Sequence, residues 1–184
     1  KQFGYEYGEN MQILSKRKEN LSEITAEVDY SAISNLAVLA ALKGSISFIG
    51  AKKGSKQADY KMVEILQYIG AKIEWKPSYL KISNDILKPF EFDITNCIDL
   101  GPILFVLASL IEGKSVISGY KNLIYKESDR LTSMITELRK CGVDIHEEND
   151  LIIINGKKQY KGMYSFETYN DHRIAMALSV FAIC

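Results

Sequence analysis

The sequence predicts an α/β fold of the α+β kind, in which a unit of about 70 residues occurs twice and begins a third time. Residues 62–73 match residues 134–145 in residue type, and residues 39–47 match residues 107–115. An aspartate that suits a helix N-terminus precedes each apolar run, and Asp171 begins the partial third copy. We therefore expect packing around a pseudo-symmetry axis rather than a solenoid, whose repeats usually have about 20 to 50 residues.

Each unit is predicted to follow the order α-β-α-β-β. In the first unit the elements cover residues 33–42, 45–49, 58–69, 72–75 and 79–82. In the second unit they cover residues 103–111, 115–118, 129–141, 144–147 and 151–154. The first helix of each unit is apolar on all sides, which predicts burial all round, whereas the second is amphipathic. Residues 76–78 and 148–150 suit hairpin turns.

The composition is that of a globular protein without a nucleic-acid or membrane partner. The 184 residues include 23 Lys and Arg against 23 Asp and Glu, so the zero net charge excludes a polycation that binds phosphate backbones. No apolar run approaches the roughly 20 residues that span a bilayer, and the first residues do not resemble a signal peptide. A cytoplasmic location is expected, with Cys97, Cys141 and Cys184 reduced. An uncapped apolar pattern at the end predicts a fragment of a longer protein.

The densest polar segment spans residues 122–131. On a helix, Lys126, Glu127 and Arg130 would share one arc at the edge of an apolar stripe. The alternative is a solvated ion pair with Ser128 or Asp129 as a helix cap. Neither Glu127 nor Arg130 has a counterpart in the matching stretch of the first unit, which favours a site built on one copy.

Two further candidates precede apolar helices. Arg173 lies in a first turn, where a cation is unfavourable unless an anion is near; alternatively Asp171 caps this helix and Arg173 reaches solvent. Asp99 heads an otherwise apolar helix, where it is either a simple N-cap or a functional acid.

Together the candidates comprise two acids and three cations, a set that suits two anionic substrates whose reaction needs proton transfer. Arginine and lysine would hold phosphate or carboxylate groups, and the acids would move protons. The sequence contains no Gly-rich phosphate loop, metal-ligand motif or nucleophile elbow, so no metal or nucleotide cofactor is expected.

Several segments of the sequence closely resemble motifs of one known family. KESDRL at residues 126–131 is followed by ELRKCG at residues 137–142, and NDHRIAMA occupies residues 170–177. With DYSAIS at residues 29–34, they resemble EPSP synthase, the 3-phosphoshikimate 1-carboxyvinyltransferase family. The resemblance implies the enolpyruvyl transferase fold, an inverted α/β barrel-like domain of repeated β-α-β-α-β-β units with buried parallel helices and outer sheets. It also implies that residues 1–26 end an N-terminal domain and that residues 27–184 form a C-terminal domain truncated at its C-terminal end.

The reaction implied by the resemblance transfers the enolpyruvyl group of phosphoenolpyruvate to the 5-hydroxyl of shikimate 3-phosphate and releases phosphate. Asp99 would take the hydroxyl proton, and Glu127 would exchange a proton at the phosphoenolpyruvate methylene. The implied ligands of shikimate 3-phosphate are Asp99, Asn122 and Lys126, and those of phosphoenolpyruvate are Arg130 and Arg173. Further candidates at the cleft are His172, Asp171 and Asp29.

The family's N-terminal contacts and lysine-bearing C-terminal segment are absent from this sequence. We therefore expect no turnover from the chain alone, a requirement for the missing N-terminal domain to close the cleft, and a monomeric full-length enzyme. One alternative is the sibling transferase acting on UDP-N-acetylglucosamine, which normally lacks both motifs. The other is a non-catalytic repeat scaffold, against which the presence of both acids and both arginines counts.

Overall fold

The computed structural model describes residues 26–184, so the prediction that residues 1–26 end a preceding domain lies, apart from Ala26, outside the described residues. The helices are α1 (Tyr30–Lys43), α2 (Lys61–Ile69), α3 (Gly101–Ser109), α4 (Arg130–Lys140) and α5 (His172–Ile183). The strands are β1 (Ser45–Ile49), β2 (Lys72–Trp75), β3 (Tyr79–Ser83), β4 (Glu91–Asp93), β5 (Gly113–Ser118), β6 (Asp144–Glu148) and β7 (Leu151–Gly156). Short 3-10 helices cover Ala58–Tyr60, Ile98–Leu100 and Lys121–Tyr125.

The strands form two sheets. One is antiparallel, in the order β1-β3-β2, and the other has the order β4-β5-β7-β6, with β4 and β5 parallel. The hairpin predicted at residues 148–150 is confirmed, because Asn149 and Asp150 both have a left-handed backbone, with φ of 52° and 60°. Strand β4 was not predicted from the residue pattern. With it, the second unit has the β-α-β-α-β-β order that the family resemblance implied.

Helix α3 is the centre of the domain. All nine of its residues are buried, because α1, α4, α5 and β7 surround it. Each large aliphatic side chain buried in this way contributes about 1.5–3 kcal/mol. The prediction of burial on all sides is therefore confirmed for α3. It is wrong for α1, which keeps one side in solvent and leaves Leu36 half-exposed.

The three core helices α1, α3 and α5 run in the same direction. Side chains at their N-terminal ends are joined through Ser31, Asp59, Asp99 and Arg173. Their C-terminal ends line a cavity of about 560 Å³ at the opposite end of the domain. This confirms the expected parallel buried helices, and it gathers several helix N-termini at one place. Among the helices of residues 26–184, none combines the length and the hydropathy that a bilayer span requires.

Candidate functional site

Asp99 is an ion-pair acceptor and not a helix cap. It lies in the 3-10 helix that leads into α3, and neither helix has a side-chain cap. Its Oδ1 accepts from Arg130 Nη1 at 2.9 Å and lies 3.1 Å from Lys126 Nζ. The interpretation of Asp99 as a simple N-cap is therefore wrong. The Asp99 side chain is 36% exposed, so its carboxylate is open to a ligand as well as to these cations.

Arg130 is almost completely buried, with 3% of its side chain exposed. Its Nε and Nη2 donate to the two carboxylate oxygens of Asp171 at 2.7 and 3.2 Å, while Nη1 donates to Asp99. This forked arrangement is the strong geometry of an arginine–carboxylate pair. Glu127, the partner in a solvated ion pair, is 3.9 Å away. The solvated-pair interpretation of Arg130 is therefore wrong.

Lys126 and Glu127 precede α4 and do not belong to it. Asp129 caps the helix by accepting from Thr132 N at 3.0 Å, and Lys126 has an extended backbone with φ of −98° and ψ of −161°. The prediction that Lys126, Glu127 and Arg130 share one arc of a helix is therefore wrong, although the three side chains do lie near one another. The convergence comes from a turn, because the helix begins only at Arg130.

A glycine allows that turn to approach α3. A Cβ added at Gly101 would lie 2.8 Å from Cδ1 of Leu123, so a larger residue would force the Leu123 side chain to move. Leu123 packs closely on Gly101, and Lys126, three residues later, lies beside Asp99.

The start of α5 supplies the second half of the cluster. Asp171 caps the helix by accepting from Arg173 N at 2.9 Å, which confirms the first part of the alternative interpretation, and its Oδ2 also accepts from Ser128 Oγ at 3.0 Å. Arg173 does not reach solvent, since only 13% of its side chain is exposed. Its Nη1 donates to Asp59 Oδ2 at 3.0 Å and to the Asp99 carbonyl at 3.1 Å.

Asp59 was missed by the sequence analysis. It is 7% exposed and accepts from Ser31 Oγ at 2.7 Å as well as from Arg173. A signal was present, because Asp59 lies three, four and seven residues before Met62, Val63 and Leu66 and so continues the buried stripe of α2. A charged residue on such a stripe requires a buried partner.

The remaining predicted residues are exposed. Glu127 and His172 are about half-exposed, with His172 Nδ1 2.8 Å from Glu127 Oε2. Asn122 lies on the exposed side of the 3-10 helix Lys121–Tyr125. Asp29 caps α1 by accepting from Ser31 N at 2.8 Å, which places it two residues from the Ser31–Asp59 contact. The structure therefore surrounds Asp99 closely with Lys126, Arg130 and Arg173, and arranges the others around the rim.

Burial and nearby cations act in opposite directions on the acids. Burial raises the pKa of Asp99, but the hydrogen bond from Lys126 and the charges of Arg173 and Arg130 outweigh it and hold that pKa below its ordinary value. Asp171 behaves in the same way, because Arg130 and the backbone N–H of Arg173 lower its pKa more than burial raises it. Both groups are therefore carboxylates at neutral pH.

Ligand atoms of Glu127, Asp171 and His172 lie within 4.8 Å of one another, a spacing that a metal ion can use. Both oxygens of Asp171 are already bonded to Arg130, which also balances its charge. The three residues are therefore not a free ligand set, and the cluster is better suited to anions.

Comparisons with known proteins agree on one family. The family model of EPSP synthase (3-phosphoshikimate 1-carboxyvinyltransferase) matches residues 4–184. Among relatives with the name 3-phosphoshikimate 1-carboxyvinyltransferase, the one from Pyrococcus abyssi is 38% identical over 156 residues, covering 84% of this chain and 37% of its own length. The relative from Methanococcus vannielii is 37% identical over 170 residues, covering 91% of this chain and 39% of its own length.

A solved structure, the EPSP synthase from Acinetobacter baumannii, superposes with a TM-score of 0.81 at 27% identity, over 98% of this chain and 46% of that one. The parallel buried helices, the outer sheets and this likeness define an α/β domain of the enolpyruvyl transferase fold. The match over residues 4–184 then settles the family: the chain belongs to the EPSP synthase family. It spans less than half the length of the curated relatives described above.

Proposed function

We propose that the intact protein containing this chain transfers the enolpyruvyl group of phosphoenolpyruvate to the 5-hydroxyl of shikimate 3-phosphate and releases phosphate. The observation that carries the proposal is the grouping of Lys126, Arg130 and Arg173 around one ionised acid, Asp99, with a second acid, Glu127, at the rim. Two anionic substrates need such a set of cations, and the transfer needs proton movements at the hydroxyl and at the methylene carbon. Membership of the EPSP synthase family supports the same assignment.

In this mechanism Asp99 accepts the proton of the 5-hydroxyl as its oxygen bonds to C2 of phosphoenolpyruvate. A lowered pKa keeps Asp99 ionised and thus ready to accept a proton at neutral pH. Glu127 protonates the methylene carbon to form the tetrahedral adduct. It then removes a proton from that carbon as the C2–O bond to phosphate breaks, and the departing phosphate takes the proton that Asp99 had accepted. The position of Glu127 at the exposed rim, hydrogen-bonded to His172, suits a group that must reach a bound substrate.

The cations are assigned to the two substrates by the same reasoning. Arg130 and Arg173 hold phosphoenolpyruvate, and Lys126 with Asn122 and Asp99 holds shikimate 3-phosphate. The two arginines are already held in place by buried or nearly buried aspartates. An arginine held in this way loses little side-chain entropy when an anion binds. Asp171 therefore orients Arg130, while His172 and Asp29 border the cleft.

The proposal includes a second domain. Residues 27–184 would form most of the C-terminal domain, and residues 1–26 would end the N-terminal one. The part of the protein beyond this chain would close the cleft, and the complete protein would be a monomer in the cytoplasm that needs no cofactor. The 184-residue chain by itself is expected to give no enzymatic phosphate release.

The test compares two conservative substitutions of exposed glutamates in the intact protein. Glu127→Gln should lower kcat for phosphate release by about 10²- to 10⁴-fold, the usual contribution of a general acid or base. It should also abolish deuterium exchange from solvent into the phosphoenolpyruvate methylene. The matched control is Glu64→Gln on α2, which removes one partner of an exposed ion pair with Lys61. Phosphate release that is unchanged in Glu127→Gln would overturn the mechanism.

A further inference from the structure

One face of helix α4 is hydrogen-bonded at two points to the residues just before and at the start of α5. Arg130, at the start of α4, bonds both oxygens of Asp171. Glu137, about two helical turns later on the same face, accepts from Tyr169 Oη at 2.8 Å and from Glu167 N at 3.2 Å. The contact at Arg130 belongs to the proposed substrate site. The contact at Glu137 lies behind that site, and the proposed mechanism does not use it.

Glu137 is a completely buried carboxylate in the middle of α4. Besides its bonds to the preceding segment, it accepts from Lys140 Nζ at 2.7 and 2.8 Å. Burial raises the pKa of Glu137, but the hydrogen bonds from Lys140, Tyr169 and Glu167 N lower it by more than burial raises it. The pKa is therefore below its ordinary value, and the side chain is charged at neutral pH. In return, its hydrogen bond raises the pKa of Tyr169 to about 12. A buried charge is retained only where several partners satisfy it, and these four bonds do so.

The backbone between these two contacts, from Tyr169 to Asp171, is strained. Tyr169 and Asn170 have consecutive left-handed conformations, with φ of 56° and 53°, and Asp171 N donates to Thr168 O at 2.9 Å across the turn. Asparagine tolerates this conformation, whereas it is unfavourable for tyrosine. Such a turn persists only where its surroundings hold it. The bond from Tyr169 Oη to the buried Glu137 supplies that restraint.

The turn sets the position of the residue that follows it. Asp171 comes directly after Asn170, orients the Arg130 guanidinium and caps the helix that carries Arg173. We propose that Glu137 is a positioning residue for the anion site: by holding Tyr169 it fixes the left-handed turn, and through Asp171 it fixes Arg130 and Arg173. This inference rests on the proposed function, in which these two arginines hold phosphoenolpyruvate.

The experiment measures steady-state kinetics of the intact protein with Tyr169→Phe and Glu137→Gln. Tyr169→Phe keeps the ring and removes one hydrogen bond, and Glu137→Gln keeps the shape of the side chain and removes its charge. Each is expected to raise KM for phosphoenolpyruvate by up to about tenfold, because part of the free energy of the lost hydrogen bond to a charged group would have to be spent on ordering the turn and the two arginines. KM for shikimate 3-phosphate should rise less than KM for phosphoenolpyruvate, because only one of its three assigned ligands, Asp99, is bonded to Arg130, whereas Lys126 and Asn122 lie before α4.

The matched control is Tyr164→Phe. Tyr164 is in the same segment, and its hydroxyl donates to the Lys161 carbonyl at 2.7 Å, with the Cys141 carbonyl at 3.5 Å, and not to the Glu137 carboxylate. KM for phosphoenolpyruvate should be unchanged in this variant. A second comparison adds Asn170→Gly to Glu137→Gln, because glycine adopts the left-handed conformation more readily than asparagine and so lowers the cost of the turn as a whole. We expect the added glycine to restore part of the lost affinity.

Three outcomes separate the two proposals. No phosphate release by the wild-type protein would overturn the proposed function. Normal wild-type turnover with an unchanged KM for phosphoenolpyruvate in Tyr169→Phe would overturn the inference about Glu137 alone. Equal increases in both KM values, without recovery by Asn170→Gly, would assign Glu137 a general structural role and would also overturn it. If Glu137→Gln fails to fold, Tyr169→Phe and its Tyr164→Phe control decide.

Discussion

The two repeats place opposite charges near the start of their second helices. In the first repeat Asp59 precedes α2, and in the second Arg130 begins α4. Both side chains are buried, and both contact the first turn of α5 or its cap. Asp59 pairs with Arg173, whereas Arg130 pairs with Asp171. The partial third copy is therefore held from two sides by charges of opposite sign.

This difference explains how a repeated fold carries a single site. Apart from β4, the two units have the same order of helices and strands, but the charges near the start of their second helices differ. Because Asp171 and Arg173 are two residues apart, α5 needs an arginine from one repeat and an aspartate from the other. The two pairs also differ in burial, since no part of the Asp171 side chain is exposed whereas 13% of that of Arg173 is. Removing the charge of Arg130 should therefore change the free energy of unfolding by a different amount from removing the charge of Asp59.

The largest effect is expected on the side of the second repeat. Arg130→Met keeps the length of the side chain but leaves Asp171 as a buried carboxylate without a cation. Breaking a buried pair in this way costs about 3–5 kcal/mol, and we expect the free energy of unfolding in urea to fall by this amount. Lys61→Met, in the exposed pair with Glu64, is the control and should change stability by less than about 0.5 kcal/mol. A loss in Arg130→Met as small as in this control would contradict the comparison.

A smaller effect is expected on the side of the first repeat. Asp59→Asn retains a polar partner for Arg173 and Ser31 and removes only the charge. Arg173 also donates to the Asp99 carbonyl and is partly exposed, so it does not become an isolated buried charge. We expect a loss of about 1–2 kcal/mol, measured by the same urea unfolding. A loss equal to that of Arg130→Met would show that the difference in burial does not make the two pairs differ in their contribution to stability.

The sequence predicted the elements better than the charge pairs. Strand bounds at Ser45–Ile49 and Lys72–Trp75 agree with the prediction, because alternation and nearby turn residues determine them locally. Strand β4 has three residues and forms by parallel pairing with β5, about 25 residues away, so no local pattern indicates it.

The same limit applies to the site. The sequence singled out Asp99, Arg130 and Arg173, since a charge beside an apolar helix is visible locally. It did not identify Asp59 as the partner of Arg173, because that contact joins residues 114 positions apart. It also placed Lys126 and Glu127 on a helical arc with Arg130, although the helix predicted over residues 129–141 excludes them, and the structure has both before α4. The cap at Asp129 decides where α4 begins, and Ser128 and Asp129 were equally suitable caps in the sequence.

Proton binding to Asp171 and Asp99 is expected to have the smallest effect on stability at neutral pH. Under acidic conditions it gives a further test of the comparison between the two repeats. Asp171 and Asp99 have pKa values below their ordinary range, because the hydrogen bonds and charges of neighbouring cations outweigh burial. A carboxylate with a lowered folded-state pKa stabilises the protein above its unfolded-state pKa, which is about 3.9 for aspartate. That contribution is lost as the pH falls through the folded-state value. Between about pH 7 and 5 both acids are ionised in the folded and unfolded chains, so they give stability no pH dependence there.

Measurements of unfolding free energy against pH in the wild type and in Asp171→Asn test this account. The variant should be less stable at pH 7, since Arg130 loses its buried counter-charge. Its stability should fall less steeply in acid, because the unfolded wild-type chain binds a proton at Asp171 before the folded one does. The two curves should therefore approach each other below about pH 4. Curves that stay parallel through this range would mean that Asp171 titrates alike in both states, and the charge of Arg130 would then not be what holds the start of α5.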